Sequence, residues 1–180
     1  MRPDERELLK QYIEDLEEKQ LWKLLVEYFE TLDLKADVVH STGEHGMDLV
    51  AFIDQRSDVL GTGCNVVIQA KKGQLGLPEW REVLYQLLEA PYYRITHPDY
   101  SQHPARRVVL AISGPATLEA RNSIQEFNKK HDVTVELWEM NDLLRLFGRS
   151  EFAAWKLQQI TGVGRGILAL QRPPTVGQPD

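Results

Sequence analysis

The sequence predicts an α/β domain with a central mixed sheet flanked by helices and a long helical stretch at its N-terminus. Two observations carry this. Apolar residues first recur at helical spacing, and strand-like runs then succeed one another before alternating with helical segments. The balance of 42% hydrophobic and 27% charged residues over 180 positions is that of a globular chain able to bury one core.

Between Glu5 and Asp33 the residues Leu8, Leu9, Tyr12, Ile13, Leu16, Leu24, Leu25, Tyr28, Phe29 and Leu32 stand three or four apart, which gives one long amphipathic helix or two. With Glu14, Glu17, Glu18 and Lys19 among them, a helical hairpin or a homodimer contact stays open beside a plain core-facing role. Three strand-like runs come next, Ala36–Ser41, Met47–Asp54 and Asn65–Lys71, separated by Gly43, Gly46, Gly61 and Gly63, and they read as a meander. Pro78 suits a first helical turn, and Trp80, Val83, Leu84, Leu87 and Leu88 carry that helix to about Ala90, where Pro91 stops it.

Residues 91–104 have neither helix nor strand period and read as a long loop. Arg107–Ile112 is a short run of the fully buried strand type, closed by Ser113, Gly114 and Pro115. A helix is expected from Ala116 to about Lys130, a strand over Val133–Leu137, and a helix capped by Asn141 and ended by Gly148. A last helix, about Ser150 to Ile160, leads into a tail rich in Gly, Pro and Gln. The expected organisation is an N-terminal helical extension over 1–20, a domain over 21–148, and a C-terminal helix with a flexible tail over 149–180.

The apolar runs fall well short of the roughly 20 residues a bilayer span needs, and Arg2, Asp4, Glu5, Arg6 and Glu7 replace the apolar core of a secretory signal, so a cytoplasmic protein without a membrane is expected. Cys64 stands alone, which excludes an internal disulfide and a thiolate zinc cage and leaves it to strand packing. The net charge of −6 speaks against nucleic acid as a partner, yet a site that gathers cations is itself acidic and a local basic strip can still steer phosphates.

In the third strand, side-chain alternation sets Asn65, Val67, Gln69 and Lys71 on one face and Val66, Ile68 and Ala70 on the other. In the second, Asp48, Val50 and Phe52 share a face, and both faces of the strand are apolar. Polar residues at the ends of strands that belong inside a covered sheet need a reason to be there. If the two strands pair antiparallel, the start of one lies beside the end of the other, and Asp48, Gln69 and Lys71 converge.

Gly46, Met47, Asp48 and Leu49, together with Val67, Ile68, Gln69, Ala70 and Lys71, resemble the PD-(D/E)xK nuclease superfamily, and within it the Mrr-type restriction endonucleases, in which glutamine replaces the usual acidic residue. The resemblance runs from about Leu21 to Phe147. It implies a restriction endonuclease-like core and a DNA endonuclease of restriction or genome defence. Asp48, Gln69 and Lys71 would be the catalytic residues, and Asp48, the Gln69 side-chain oxygen and the Ala70 carbonyl would hold Mg2+, with Mn2+ an acceptable substitute. The ion would activate water, with the Lys71 ammonium beside it.

Relatives carry a glutamate on the first helix, at the position where this chain has Trp22. Glu18, one turn earlier on nearly the same face, is the candidate to replace it, whereas Glu27 lies about 140° round the helix. DNA-backbone candidates are Lys72, Arg81, Arg94, Arg106 and Arg107, with Tyr92, Tyr93 and Tyr100 for stacking; ordinary surface roles compete for each. His40, Glu44 and His45 are better read as exposed loop residues than as a metal site. No glycine elbow frames a serine nucleophile, and Gly162 and Gly164 read as a helix stop rather than as a hairpin turn that binds phosphate. Because no base-reading module is evident, a separate recognition or motor subunit is an expected kind of partner. The competing reading is a catalytically weak nuclease fold that binds DNA or assembles with other proteins.

Overall fold

A computed structural model describes residues 1–32, 35–37, 49–52, 65–89, 107–132, 134–148 and 151–162. The N-terminal helical stretch is two helices, α1 (Pro3–Asp15) and α2 (Glu18–Glu30). Leu16 breaks it by turning extended, with ψ at 139°, while its side chain stays buried. Glu17 restarts it by donating its backbone N–H to Gln20 Oε1 at 2.7 Å. Pro3 opens α1, and the N–H and guanidinium of Arg2 both reach the Glu5 carboxylate. Those bonds, the backbone one foremost, hold the Glu5 carboxyl below the ordinary glutamate range.

Among the described residues five strands lie in spatial order β1 (Lys35–Asp37), β2 (Leu49–Phe52), β3 (Asn65–Lys71), β4 (Arg107–Ile112) and β5 (Thr134–Trp138). The pairs β1–β2 and β2–β3 are antiparallel, and β3–β4 and β4–β5 parallel, so the sheet is mixed as expected. The two parallel connections run through α3 (Leu77–Glu89) and α4 (Leu118–Lys130), which pack together through the Trp80 and Phe127 rings, 6.1 Å apart edge to face. Val67, Val108, Leu110, Ile112 and Val135 meet these helices in one buried cluster. Val66, Ile68, Ala70, Val109 and Ala111 meet α1, α2, α5 (Met140–Phe147) and α6 (Glu151–Thr161) in another. Apolar residues on both faces of β3 and β4 are therefore what a sheet covered on both sides requires.

The bounds of β3 and β4 coincide with the expected runs. One expected cap is corrected. Asn141 does not cap α5: that helix starts at Met140 after Glu139, whose N–H donates to Asp142 Oδ2 at 3.1 Å, and Asn141 instead accepts from Arg6 Nη2. The strand β5 runs on to Trp138, which leaves Glu139 as the residue at the junction. Gly162 comes directly after α6 with φ at +70°, the left-handed conformation of a glycine helix stop. Among the described residues no helix is long and apolar enough to cross a membrane.

Candidate active site

The strand β3 delivers the candidate residues because its sequence, Asn-Val-Val-Ile-Gln-Ala-Lys, is apolar from its second position until its last three. Gln69 is 1% exposed and stands in register with Leu110 of β4; Lys71 is the final residue of the strand, paired with Ile112. Burying an amide costs far less than burying a charge, and the side chains obey that order, since the Lys71 side chain is 30% exposed at the sheet's rim.

Two carboxylates from the start of α2 reach this rim. Glu18 Oε1 accepts from Lys71 Nζ at 3.3 Å, and Glu17 Oε1 accepts from Lys72 Nζ at 2.7 Å. Adjacent acids on the helix thus meet adjacent lysines at the strand's end. Strand alternation puts Lys71 on the face of Val67, toward α3 and α4, so its four-carbon stem passes round the end of the strand to meet a helix packed on the opposite face. Trp22, one turn after Glu18, is buried in the α1–α2 cluster. Glu27 is engaged elsewhere, accepting from Lys156 of α6 at 2.6 Å.

Asp48 directly precedes Leu49, the first residue of β2, and lies outside the described residues, as do Arg94, Arg106, Tyr92, Tyr93, Tyr100, His40, Glu44, His45 and Cys64. Leu49 pairs with Ile68, the neighbour of Gln69, in the expected antiparallel arrangement. Lys72 is exposed and paired with Glu17, and Arg81 is exposed on α3. Arg107 stands at the other end of β4 from Ile112, roughly 16 Å from the level of Lys71 at strand rise, with its guanidinium 2.7 Å from Glu136. Lys71, Lys72, Glu17 and Glu18 are thus brought together, and Arg107 is not among them.

Sequence reasoning misses Ser113. Its backbone N–H donates to the Lys71 carbonyl at 3.2 Å, and its hydroxyl accepts from Gly73 N–H at 2.8 Å. Its only signal in the sequence is turn punctuation. Glu139 is missed as well: it accepts from Ala116 N–H and from Arg121, fastening the segment after β4.

The Gln69 amide, the Ala70 carbonyl and the Glu18 carboxylate are oxygen groups of the kind that would suit a hard cation, with no thiolate or imidazole among them. Among the described residues no three His, Cys, Asp or Glu side chains gather into an ion cage, so a full set needs a further acid such as the one at position 48.

A model of the Mrr catalytic type, described as restriction endonuclease, matches residues 13–147. The chain belongs to this family. Its members are nuclease domains of the PD-(D/E)xK kind and generally use divalent metal ions. No curated protein matches the chain. Among solved structures, the DNA modification-dependent restriction endonuclease AspBHI superposes with a TM-score of 0.50 at 12% identity, over 91% of this chain and 41% of its own. The likeness is one of fold, and this chain spans about two fifths of that protein's length. The MspJI restriction endonuclease, solved in complex with a 27-mer oligonucleotide, gives 0.44 at 13% identity, over 97% of this chain and 37% of that one. A protein of unknown function, AF1548, gives 0.45 at 12% identity, over 87% and 73%.

Proposed function

We propose that this restriction endonuclease-family domain cleaves DNA phosphodiesters with a divalent ion, Mg2+ or Mn2+, in restriction or genome defence. Asp48, the Gln69 side-chain oxygen and the Ala70 carbonyl would hold the ion, and Glu18 is the helix carboxylate of the site. The observation that carries this reading is the meeting of Lys71 with Glu18 at 3.3 Å, one residue beyond the Gln69–Ala70 pair. The family pattern asks for a lysine ending the third strand and a helix carboxylate at the position of Trp22; here Lys71 ends β3, and Glu18, one turn earlier on α2, takes the place of that acid. Asp48 enters because it precedes the residue whose partner is Ile68, at the same end of the β2–β3 pair.

A bound divalent ion supplies Lewis acidity toward the scissile phosphate and lowers the pKa of a water molecule. The chain's own part is electrostatic and positional. Gln69 offers oxygen without charge, so apart from substrate the site carries one negative charge fewer than an acid at that position would give. Lys71 holds a positive charge where negative charge develops on the phosphate, and Glu18 orients that ammonium. Lys72 and Arg81 are exposed cations suited to backbone phosphates; Arg94, Arg106 and Arg107 complete the candidates for DNA binding. A recognition or motor subunit and a second copy of the chain are the protein partners proposed with them.

The test is cleavage of supercoiled plasmid with Mg2+ by the full chain, beside Asp48→Ala and Lys71→Ala. Loss of nicking and linearisation in both variants is expected, with DNA affinity kept. Equal cutting by all three proteins ends the reading, and tight DNA binding without cutting by any of them turns it into a DNA-binding subunit.

A further inference from the structure

We infer that Ser113 is a positioning residue for the nuclease site, fixing the backbone from which Lys71 projects; the inference rests on the function proposed above. The paired strands β3 and β4 end together at Lys71 and Ile112. Beyond that point two chains leaving a sheet ordinarily separate and move freely. Here Ser113 ties them twice. Its N–H donates to the Lys71 carbonyl at 3.2 Å, extending the ladder by one rung, and its buried hydroxyl accepts from Gly73 N–H at 2.8 Å.

Only Lys72 lies between the bonded Lys71 carbonyl and the bonded Gly73 N–H, so the backbone leaving the lysine is held within two residues of it. The next residues tighten the same turn. Gly73 sits at φ +79°, a left-handed conformation that glycine adopts without strain, and Gly114 approaches so closely that a Cβ there would stand 2.7 Å from the Gly73 carbon and oxygen. Leu75 then pairs with the segment after β4, its N–H donating to Pro115 O at 3.1 Å and its carbonyl accepting from Thr117 N–H at 2.9 Å. The Glu139 carboxylate holds that segment from the far side through Ala116 N–H at 2.6 Å.

A lysine side chain has four rotatable carbons and finds its target only if its root is fixed. The strand fixes that root up to residue 71. The hydroxyl of Ser113 fixes the turn at Lys72 and Gly73, and without it the Gly73 amide loses its partner and the turn is released. Ser113 acts on the reaction through Lys71, by way of the backbone at Lys71 and Gly73.

The test compares full-length Ser113→Ala, Ser113→Thr and Gly114→Ala with the wild-type chain by plasmid-cleavage kinetics, DNA affinity and amide hydrogen exchange at Gly73. Ser113→Ala is expected to lower kcat about tenfold, with KM and DNA affinity within about twofold, and to speed exchange at Gly73. Ser113→Thr, which restores the hydroxyl, recovers most of the rate. Gly114→Ala keeps the hydroxyl but intrudes on Gly73, and gives the same kcat-selective loss by another route, which keeps the test decisive if Ser113→Ala does not fold. Wild-type kcat in Ser113→Ala, or a fall in kcat matched by equal losses of DNA affinity and thermal stability, overturns the inference. The two failures separate cleanly: if Asp48→Ala and Lys71→Ala abolish cutting while Ser113→Ala cuts normally, only the clamp is wrong; if those two variants cut normally, the nuclease reading falls first.

Discussion

Replacing Glu18 by alanine distinguishes an acid that serves the site from one that merely decorates a helix. The carboxylate lies 3.3 Å from the Lys71 ammonium. At an effective dielectric near 20 that separation corresponds to about 5 kcal/mol of attraction. Little of it survives as stability, because the two side chains are 30% and 35% exposed, and screening and ordering reduce such pairs to about 0.2–1 kcal/mol. For a chain of this size the melting temperature should fall by no more than about 4 °C. Activity should fall much further. A group that orients a lysine beside the scissile phosphate is worth roughly 10–100-fold in rate, so Glu18→Ala is expected to lose that factor in plasmid cleavage at saturating Mg2+. Glu18→Gln keeps an oxygen within reach of the ammonium and should lie between. A Glu18→Ala rate within twofold of wild type, alongside an inactive Asp48→Ala, would refute the role given to this residue.

Two further expectations concern buried groups. The side chain of Lys156 is 8% exposed, its ammonium 2.6 Å from Glu27 and within 6 Å of the Tyr12 and Trp155 ring centres. Glu27→Ala should cost about 2 kcal/mol by denaturant midpoint, below the usual figure for a broken buried pair because Glu27 is itself partly solvated and the rings still face the charge; an unchanged midpoint would count against it. Gln69→Glu places a carboxylate where exposure is 1% and should destabilise the chelated protein by about 2–4 kcal/mol. Mg2+ or Mn2+ should recover much of that loss in thermal melts, and a variant as stable in chelator as wild type would show that position 69 is not desolvated.

Legibility in the sequence depends on how local each signal is. Asn65–Lys71 and Arg107–Ile112 are bounded correctly because each is built round an apolar run, Val66–Ile68 and Val108–Ile112, with polar or turn residues beside it that mark its limits locally. The break at Leu16 is left open because Leu16 stays on the apolar stripe: the periodicity continues while the backbone does not, and only the Glu17–Gln20 bond marks the restart. Residue preference points to Asn141 as a cap, but the length of β5 decides where α5 begins, and the length of a strand is set by its partner in the sheet. The Glu18–Lys71 contact is half legible. Helical phase singles out Glu18 over Glu27, yet the reach of a lysine round a strand end has no sequence period. Ser113 carries no signal beyond punctuation, because its partners are 40 and 42 positions away in a parallel pairing that no local pattern reveals.

The acidity of the chain and the basic end of β3 are two sides of one construction. Glu17 and Glu18 stand at the start of α2, where the helix dipole favours negative charge, so an acidic pair there stabilises the helix whatever else it does. The same two side chains reach Lys71 and Lys72. Lysines gathered at a sheet's end repel one another, and acids anchored by a helix terminus offset that repulsion without entering the buried part of the sheet, where Gln69 contributes only an amide. Charge is thereby graded along β3 and just beyond it: apolar at Val67, neutral and polar at Gln69, ionic at Lys71 and Lys72, in step with rising exposure. A total of −6 is therefore no measure of how a phosphate is met at this rim, where among the described residues two lysines and two glutamates stand in adjacent pairs.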